Sequence, residues 1–98
     1  MIPVRCAVVS GIALSEVNDQ TKVLLMKRTK GGFWCHVAGT VESNELGWQT
    51  IIREFKEETQ IDVEDLYNGQ YLEQFYENNL NTIEVIPVFV FTVNRINL

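Results

Sequence analysis

Residues 39–61 read GTVESNELGWQTIIREFKEETQI, and the run Arg53-Glu54-Phe55-Lys56-Glu57-Glu58 inside them sets the reading of the chain. The pattern predicts a helix from about Glu45 to Thr59, capped at Ser43 or Asn44. Its apolar residues Trp48, Ile51, Ile52 and Phe55 share a stripe about 100° wide, which packs on a sheet. Glu54, Glu57 and Glu58 fall on a second face, within an arc of about 100°. Like charges so placed destabilise a helix by about 0.2–0.5 kcal/mol per pair. A fold gains nothing from that crowding. A hard divalent cation does, because carboxylate oxygens are the ligands that Mg²⁺ and Mn²⁺ prefer. Taken alone, three acids at this spacing are more often a solvated helix face.

The residues around the acids decide between the two. The stretch resembles the Nudix box, Gly-x5-Glu-x7-Arg-Glu-U-x-Glu-Glu-x-Gly-U with U a bulky apolar residue. Gly39, Glu45, Arg53, Glu54, Phe55, Glu57, Glu58 and Ile61 stand at matching positions. Gln60 stands where the box has glycine. The flanks are similar too: Lys22 to Arg28 resembles the strand before the box, and Phe33-Trp34 its aromatic approach. On these residues the chain is identified as a member of the Nudix hydrolase superfamily. Within it, the runs Phe33 to Glu42 and Lys56 to Asp62 most resemble the dihydroneopterin triphosphate and dNTP pyrophosphatase branch.

The resemblance implies a metal-dependent hydrolase. Its substrate is a nucleoside diphosphate linked to a group X, or a nucleoside or pterin triphosphate. Water attacks a phosphorus while Mg²⁺ or Mn²⁺ offsets charge on the oxygens. Glu54, Glu57 and Glu58 match the family's metal ligands, with the carbonyl of Ala38 as a further donor. Arg53 matches the arginine that orients the carboxylates. The plainer alternative is a surface pair with Glu57. Glu45 matches the box glutamate that supports the loop–helix junction. Its alternative is a first-turn acid favoured by the helix dipole. Gly39 lets the backbone turn close beside the metal, and with Arg28 and Lys30 it is expected to meet the substrate. Lys27 alternates with Arg28, so only one of the two is expected in the cleft. Trp34 is a base-stacking candidate or a core residue, and His36 is expected to point at a neighbouring strand. A base from outside the box would come from Glu73, Glu77 or Glu84, or from beyond the last strand. Gln60 costs about 1 kcal/mol if the helix ends left-handed there.

Composition sets outer bounds. The chain has 98 residues, expected to form one domain over residues 1–98 with one modest core. Its net charge of −5 argues against non-specific nucleic-acid binding. No apolar run is long enough to span a membrane, and no signal sequence stands out. Cys6 and Cys35 lie in apolar stretches and read as buried free thiols of a cytoplasmic protein.

Along the chain, Val4 to Leu14 is β-rich, with Gly11 a bulge or a close-approach point. Glu16 to Gln20 is turn-like, Thr21 to Arg28 a buried strand, Lys30-Gly31-Gly32 a loop, and Phe33 to Val37 a short strand. After the helix, Tyr67 to Tyr76 is a strand, Asn78 to Asn81 a hairpin turn and Thr82 to Val93 the last strand, where Pro87 suggests an edge or a bulge. This order describes an α+β domain with a mixed sheet. The resemblance implies an α/β/α sandwich, here without its C-terminal helix, so the domain is expected to be incomplete at Leu98. The last strand is apolar on both sides, so an uncovered sheet face and self-association are expected. Two other functions stay open: a catalytically weak nucleotide-binding or regulatory module, and a purely structural domain, which leaves the spacing unexplained.

Overall fold

The computed structural model describes residues 1–94. Its strands are β1 (Val4–Arg5), β2 (Val8–Val17), β3 (Gln20–Leu24), β4 (Met26–Lys27), β5 (Trp34–Cys35) and β6 (Val37–Thr40). Then come helix α1 (Gly47–Thr59) and the strands β7 (Val63–Glu77) and β8 (Thr82–Val93). This is a mixed α+β fold with one helix among the described residues. Leu98, where the domain is expected to be incomplete, lies outside the described residues.

β8 is the middle of the main sheet. β7 runs antiparallel along one edge of it. β1 and then β2 run parallel along the other. β2 in turn carries β6 against its first half and β3 against its second. A separate two-stranded ribbon joins β4 to β5. The hairpin turn at residues 78–81 and the span of β8 match the expectations. Asn18 and Asp19 both have positive φ, so the expected turn at Glu16 to Gln20 is a tight two-residue one, with Val17 paired to Gln20.

Pro87 is not on an edge strand. It stands in the central strand opposite Leu72 of β7. Its missing N–H is tolerated because pairing is irregular on both sides. From Arg5–Glu84 to Ser10–Val88 the β1–β2 side advances five residues while β8 advances four. On the β7 side the register shifts between Asn68 and Tyr71. The bulge expectation therefore holds and the edge expectation does not.

The core lies between α1 and one face of the sheet. Val9, Ala13, Val37, Ile51, Phe55, Phe91 and Val93 are buried together. Phe55 meets Phe91 edge to face at 4.8 Å between ring centroids. Such a pair adds about 0.5–1.5 kcal/mol to the roughly 1.5–3 kcal/mol that burying each ring contributes. Gly11 makes room for this cluster. A β-carbon there would stand 2.9 Å from the Phe91 ring and 3.0 Å from Ile51. Gly11 is thus a close-approach point, in regular pairing with Phe89 and Val37.

Three expectations fail on burial. The segment expected as a buried strand is mostly exposed, because β3 is an outer strand with β2 as its only partner in the main sheet among the described residues. Cys6 is exposed and Cys35 half-buried, both as free thiols. On α1, Thr50 is fully buried while Trp48 is 43% exposed, since Trp48 sits in the first turn at the margin of the sheet. No helix among the described residues is long and apolar enough to cross a membrane.

Candidate functional site

Helix α1 begins later than the sequence suggests. Leu46, with extended backbone (φ −83°, ψ 153°), is its N-cap, and neither Ser43 nor Asn44 caps it. The loop makes one more turn first, with Asn44 left-handed and the Glu45 N–H donating to the Glu42 carbonyl at 3.2 Å. Leu46 has no side-chain acceptor for the N–H groups of the first turn, and its own N–H donates to Gln49 Oε1 at 2.8 Å. This places Glu45 just ahead of the helix, facing its second turn.

Arg53 gathers the loop and the helix. Its Nε donates to Glu45 Oε2 at 2.8 Å and its Nη2 to Glu45 Oε1 at 3.1 Å, a two-pronged pairing. Nη1 donates to Glu54 Oε1 at 3.0 Å and reaches Glu57 at 3.5 Å. Nη2 also reaches the Thr40 carbonyl of β6 at 3.3 Å. Arg53 therefore does more than form a surface pair with Glu57. Glu45 is equally committed, since it also accepts from the buried Thr50 hydroxyl at 2.5 Å. Its side chain is only 14% exposed. The guanidinium and the Thr50 hydroxyl hold its carboxyl down at about 2. Glu45 in turn pushes the Arg53 pKa well above the ordinary arginine value.

Gly39 lies in the middle of β6, paired with Val9, so it does not turn the chain. What requires glycine is the approach of Glu54. A β-carbon at residue 39 would stand 2.6 Å from Glu54 Cδ and 2.7 Å from Oε1. Arg53 and Gly39 together fix Glu54 against β6.

Glu58 opens on a cleft of about 500 Å³, walled by Ala38, Arg28 and Lys30 among others. Burial and the neighbouring Glu54 raise the Glu58 pKa, Arg28 lowers it and Glu57 raises it further, the balance being upward. Lys27 and His36 also line this cleft, against both expectations. Alternation does not separate Lys27 from Arg28 because β4 ends at Lys27. The Arg28 N–H then closes a loop onto the Phe33 carbonyl at 2.8 Å. His36 falls in the gap between β5 and β6 and is exposed. The Lys27 ammonium lies over the Trp34 ring at 5.9 Å, and the Arg28 guanidinium over the Phe33 ring at 5.7 Å. Each such contact is worth about 0.5–1 kcal/mol at an exposed site. Trp34 is 62% exposed, so it is not a core residue. The missed signal was the loop Thr29-Lys30-Gly31-Gly32, which ends strand alternation one residue earlier than supposed.

The outer glutamates stand elsewhere. Glu84 is buried in an ion pair with Arg5 at 2.9 Å. Glu77 accepts the Asn79 N–H in the hairpin turn. Neither these nor Glu73 line the cleft.

The chemistry of the residues is that of hard-cation donors: Glu54, Glu57 and Glu58 all stand on α1, Glu58 shares a cleft with Ala38, and the gap at Gly39 is kept for Glu54. It is an open face and not a closed cage. Among the described residues no three His, Cys, Asp or Glu side chains stand close enough together, as placed, to hold a metal ion between them. Mg²⁺ keeps several of its waters and is commonly held by one or two carboxylates, so an open face fits it.

Residues 7–97 match the family model of the NUDIX domain. The fold is similar to the NUDIX domain of Shewanella oneidensis NrtR complexed with ADP ribose, with a TM-score of 0.74 at 17% identity over 98% of this chain and 64% of that one. It is also similar to the Ap4A hydrolase of C. elegans, with a TM-score of 0.66 at 22% identity over 94% of this chain and 70% of that one. A third similar structure is the dihydroneopterin triphosphate pyrophosphohydrolase of E. coli, with a TM-score of 0.63 at 22% identity over 100% of this chain and 75% of that one. At these identities the likeness is one of fold. No curated protein matches the chain in sequence.

Proposed function

The chain belongs to the NUDIX domain family, and from that premise we propose that it is a metal-dependent pyrophosphohydrolase of nucleotides or related di- and triphosphates. One observation carries this reading above others. Glu58 and Ala38 line the same cleft as Arg28 and Lys30, so one proposed carboxylate ligand and the proposed phosphate-binding groups share one space.

Glu54, Glu57, Glu58 and the Ala38 carbonyl would hold Mg²⁺ or Mn²⁺. The ion, when bound, offsets charge on phosphate oxygens and lowers the pKa of water. Arg28 and Lys30 bind the substrate's phosphates and fix its register in the cleft. Arg53 keeps Glu54 in place and Gly39 leaves it room. The reaction adds water across a phosphoric anhydride: a new P–O bond forms at the attacked phosphorus and the bridging P–O bond breaks. No residue in the cleft is assigned as the base.

A second reading, a nucleotide-binding module without turnover, is favoured because no three acidic side chains among the described residues are placed to hold a metal ion between them. A screen with Mg²⁺ against dNTPs, dinucleoside polyphosphates, sugar nucleotides and pterin triphosphate separates the two. Turnover that stops in excess chelator supports the hydrolase. Saturable binding with no turnover of any compound supports the module.

A further inference from the structure

The rim of the cleft is a cationic ribbon, and its chemistry bears on which phosphates it takes. Lys27, Arg28 and Lys30 line the cleft against a single carboxylate, Glu58, on a chain whose net charge is −5. Two of the three cations are positioned by aromatic rings. β4 and β5 place Lys27 directly opposite Trp34, with the ammonium 5.9 Å from the ring centroid. Arg28 and Phe33 repeat the arrangement one step further out, at 5.7 Å. A base stacking on those ring faces would displace the cations. Phe33 and Trp34 thus support positive charge, and neither ring lines the cleft, so neither offers it a wall on which a base could stack.

An internal diphosphate linkage carries one ionised oxygen on each phosphorus. A terminal triphosphate or a longer chain carries more, spread over a greater length. Three cations in one cleft match the greater charge of the longer anion, and the shorter one leaves part of that positive charge unpaired. We propose that this cleft selects its substrate by phosphate number and not by base, taking triphosphates and longer polyphosphates over diphosphate-linked compounds. The inference rests on the hydrolase reading above and names the substrate class within it.

The test compares kcat/KM in Mg²⁺ for the four dNTPs, diadenosine tetraphosphate and ADP-ribose. The triphosphates and the tetraphosphate are expected to exceed ADP-ribose by about tenfold or more, the size of one added charge-assisted hydrogen bond. The four dNTPs are expected to agree within about threefold. Lys27→Ala and Lys30→Ala should narrow the gap mainly through KM. Trp34→Leu should do the same without changing the preference among bases. A second measurement needs no turnover: in EDTA, inorganic tripolyphosphate should raise the melting temperature of the chain more than pyrophosphate, and Lys27→Ala with Lys30→Ala should erase the difference. ADP-ribose turned over as well as dATP, or a strong preference for one base, overturns the inference and leaves the hydrolase intact. If nothing is hydrolysed the hydrolase reading fails, and the tripolyphosphate comparison alone then decides the selection.

Discussion

The carboxyl group of Glu54 occupies the space where a side chain at Gly39 would begin. A β-carbon built at residue 39 stands 2.7 Å from Glu54 Oε1, well inside contact distance. Gly39→Ala must therefore push Glu54 off β6, or push β6 away from α1. We expect a fall in kcat of about 10–100-fold, the usual size for a misplacement near 1 Å. Stability should fall by about 1–3 kcal/mol through overpacking. A Gly39→Ala protein with unchanged kcat would show that the position of Glu54 does not matter to turnover.

Arg53 offers a separable test. Its fork to Glu45 is two-pronged, and its other contacts reach Glu54 and the Thr40 carbonyl. Lysine cannot reproduce that fork, so Arg53→Lys should lose nearly as much activity as Arg53→Ala, about 10–100-fold. The same pairing predicts an acid limit. The folded pKa of Glu45 lies near 2 against an ordinary value of 4.5. A carboxyl held down in the fold stabilises it above the unfolded pKa, and that contribution fades as pH falls through the folded value. Glu45→Gln should be less stable than wild type by a constant margin above about pH 4.5, with the margin shrinking toward pH 2. A margin independent of pH in that window would mean the ion pair contributes nothing to folding.

What could be read from the chain was local. The helix, the hairpin turn at residues 78–81 and the span of β8 follow from patterns contained within a few residues. Close approach was one of two readings of Gly11, but which side chains meet Gly11 and Gly39 could not be read, because each comes from elsewhere in the fold. The exposure of β3 and the central place of Pro87 depend on which strand lies alongside, and alternation says nothing about that. Lys27 was excluded by assuming the strand ran on to Arg28, whereas it stops at Lys27. Single-residue shifts of this kind reverse which side chains face a cleft.

Glu58 is predicted to trade stability for function. Its raised pKa means that ionising it in the metal-free fold is unfavourable, chiefly through burial and the neighbouring Glu54. Such a group destabilises the fold as pH rises through its folded pKa. Glu58→Gln should therefore melt at or above the wild-type temperature near neutral pH without metal. It should also lower kcat by about a hundredfold or more if the carboxylate holds the cation. Full activity in Glu58→Gln would remove it from the site.

The helix end gives an independent check on backbone strain. Gln60 is left-handed, with φ 63° and ψ 19°, and its N–H closes the helix on the Lys56 carbonyl at 2.8 Å. Gln60→Gly should stabilise the domain by up to about 1 kcal/mol, because glycine adopts this conformation without steric penalty. The gain is partly offset by loss of the side-chain bond from Gln60 Nε2 to the Glu57 carbonyl at 3.3 Å. A lower melting temperature would mean that this bond outweighs the backbone strain.

The sheet face turned away from α1 yields the last prediction. Phe91 packs on Phe55 of the helix, so strand alternation sends Val88 and Val90 to the opposite face. Their cross-strand partners on β7 are Tyr71 and Tyr67, which are 63% and 55% exposed. Phe75, opposite Glu84, continues the row at 47% exposed. No helix among the described residues covers this row. Val88 itself is buried beneath the row and Glu73 stands between Tyr71 and Phe75, so the exposed apolar surface is the three rings themselves, and that much on one sheet face is unusual in a soluble monomer. The 98-residue chain should therefore bind ANS and self-associate as its concentration rises. Tyr71→Lys with Phe75→Lys should suppress both while leaving the stability within about 0.5 kcal/mol of wild type, as expected of surface changes. Sedimentation of the unmodified chain as a monomer that does not bind the dye would show that this face is covered in solution.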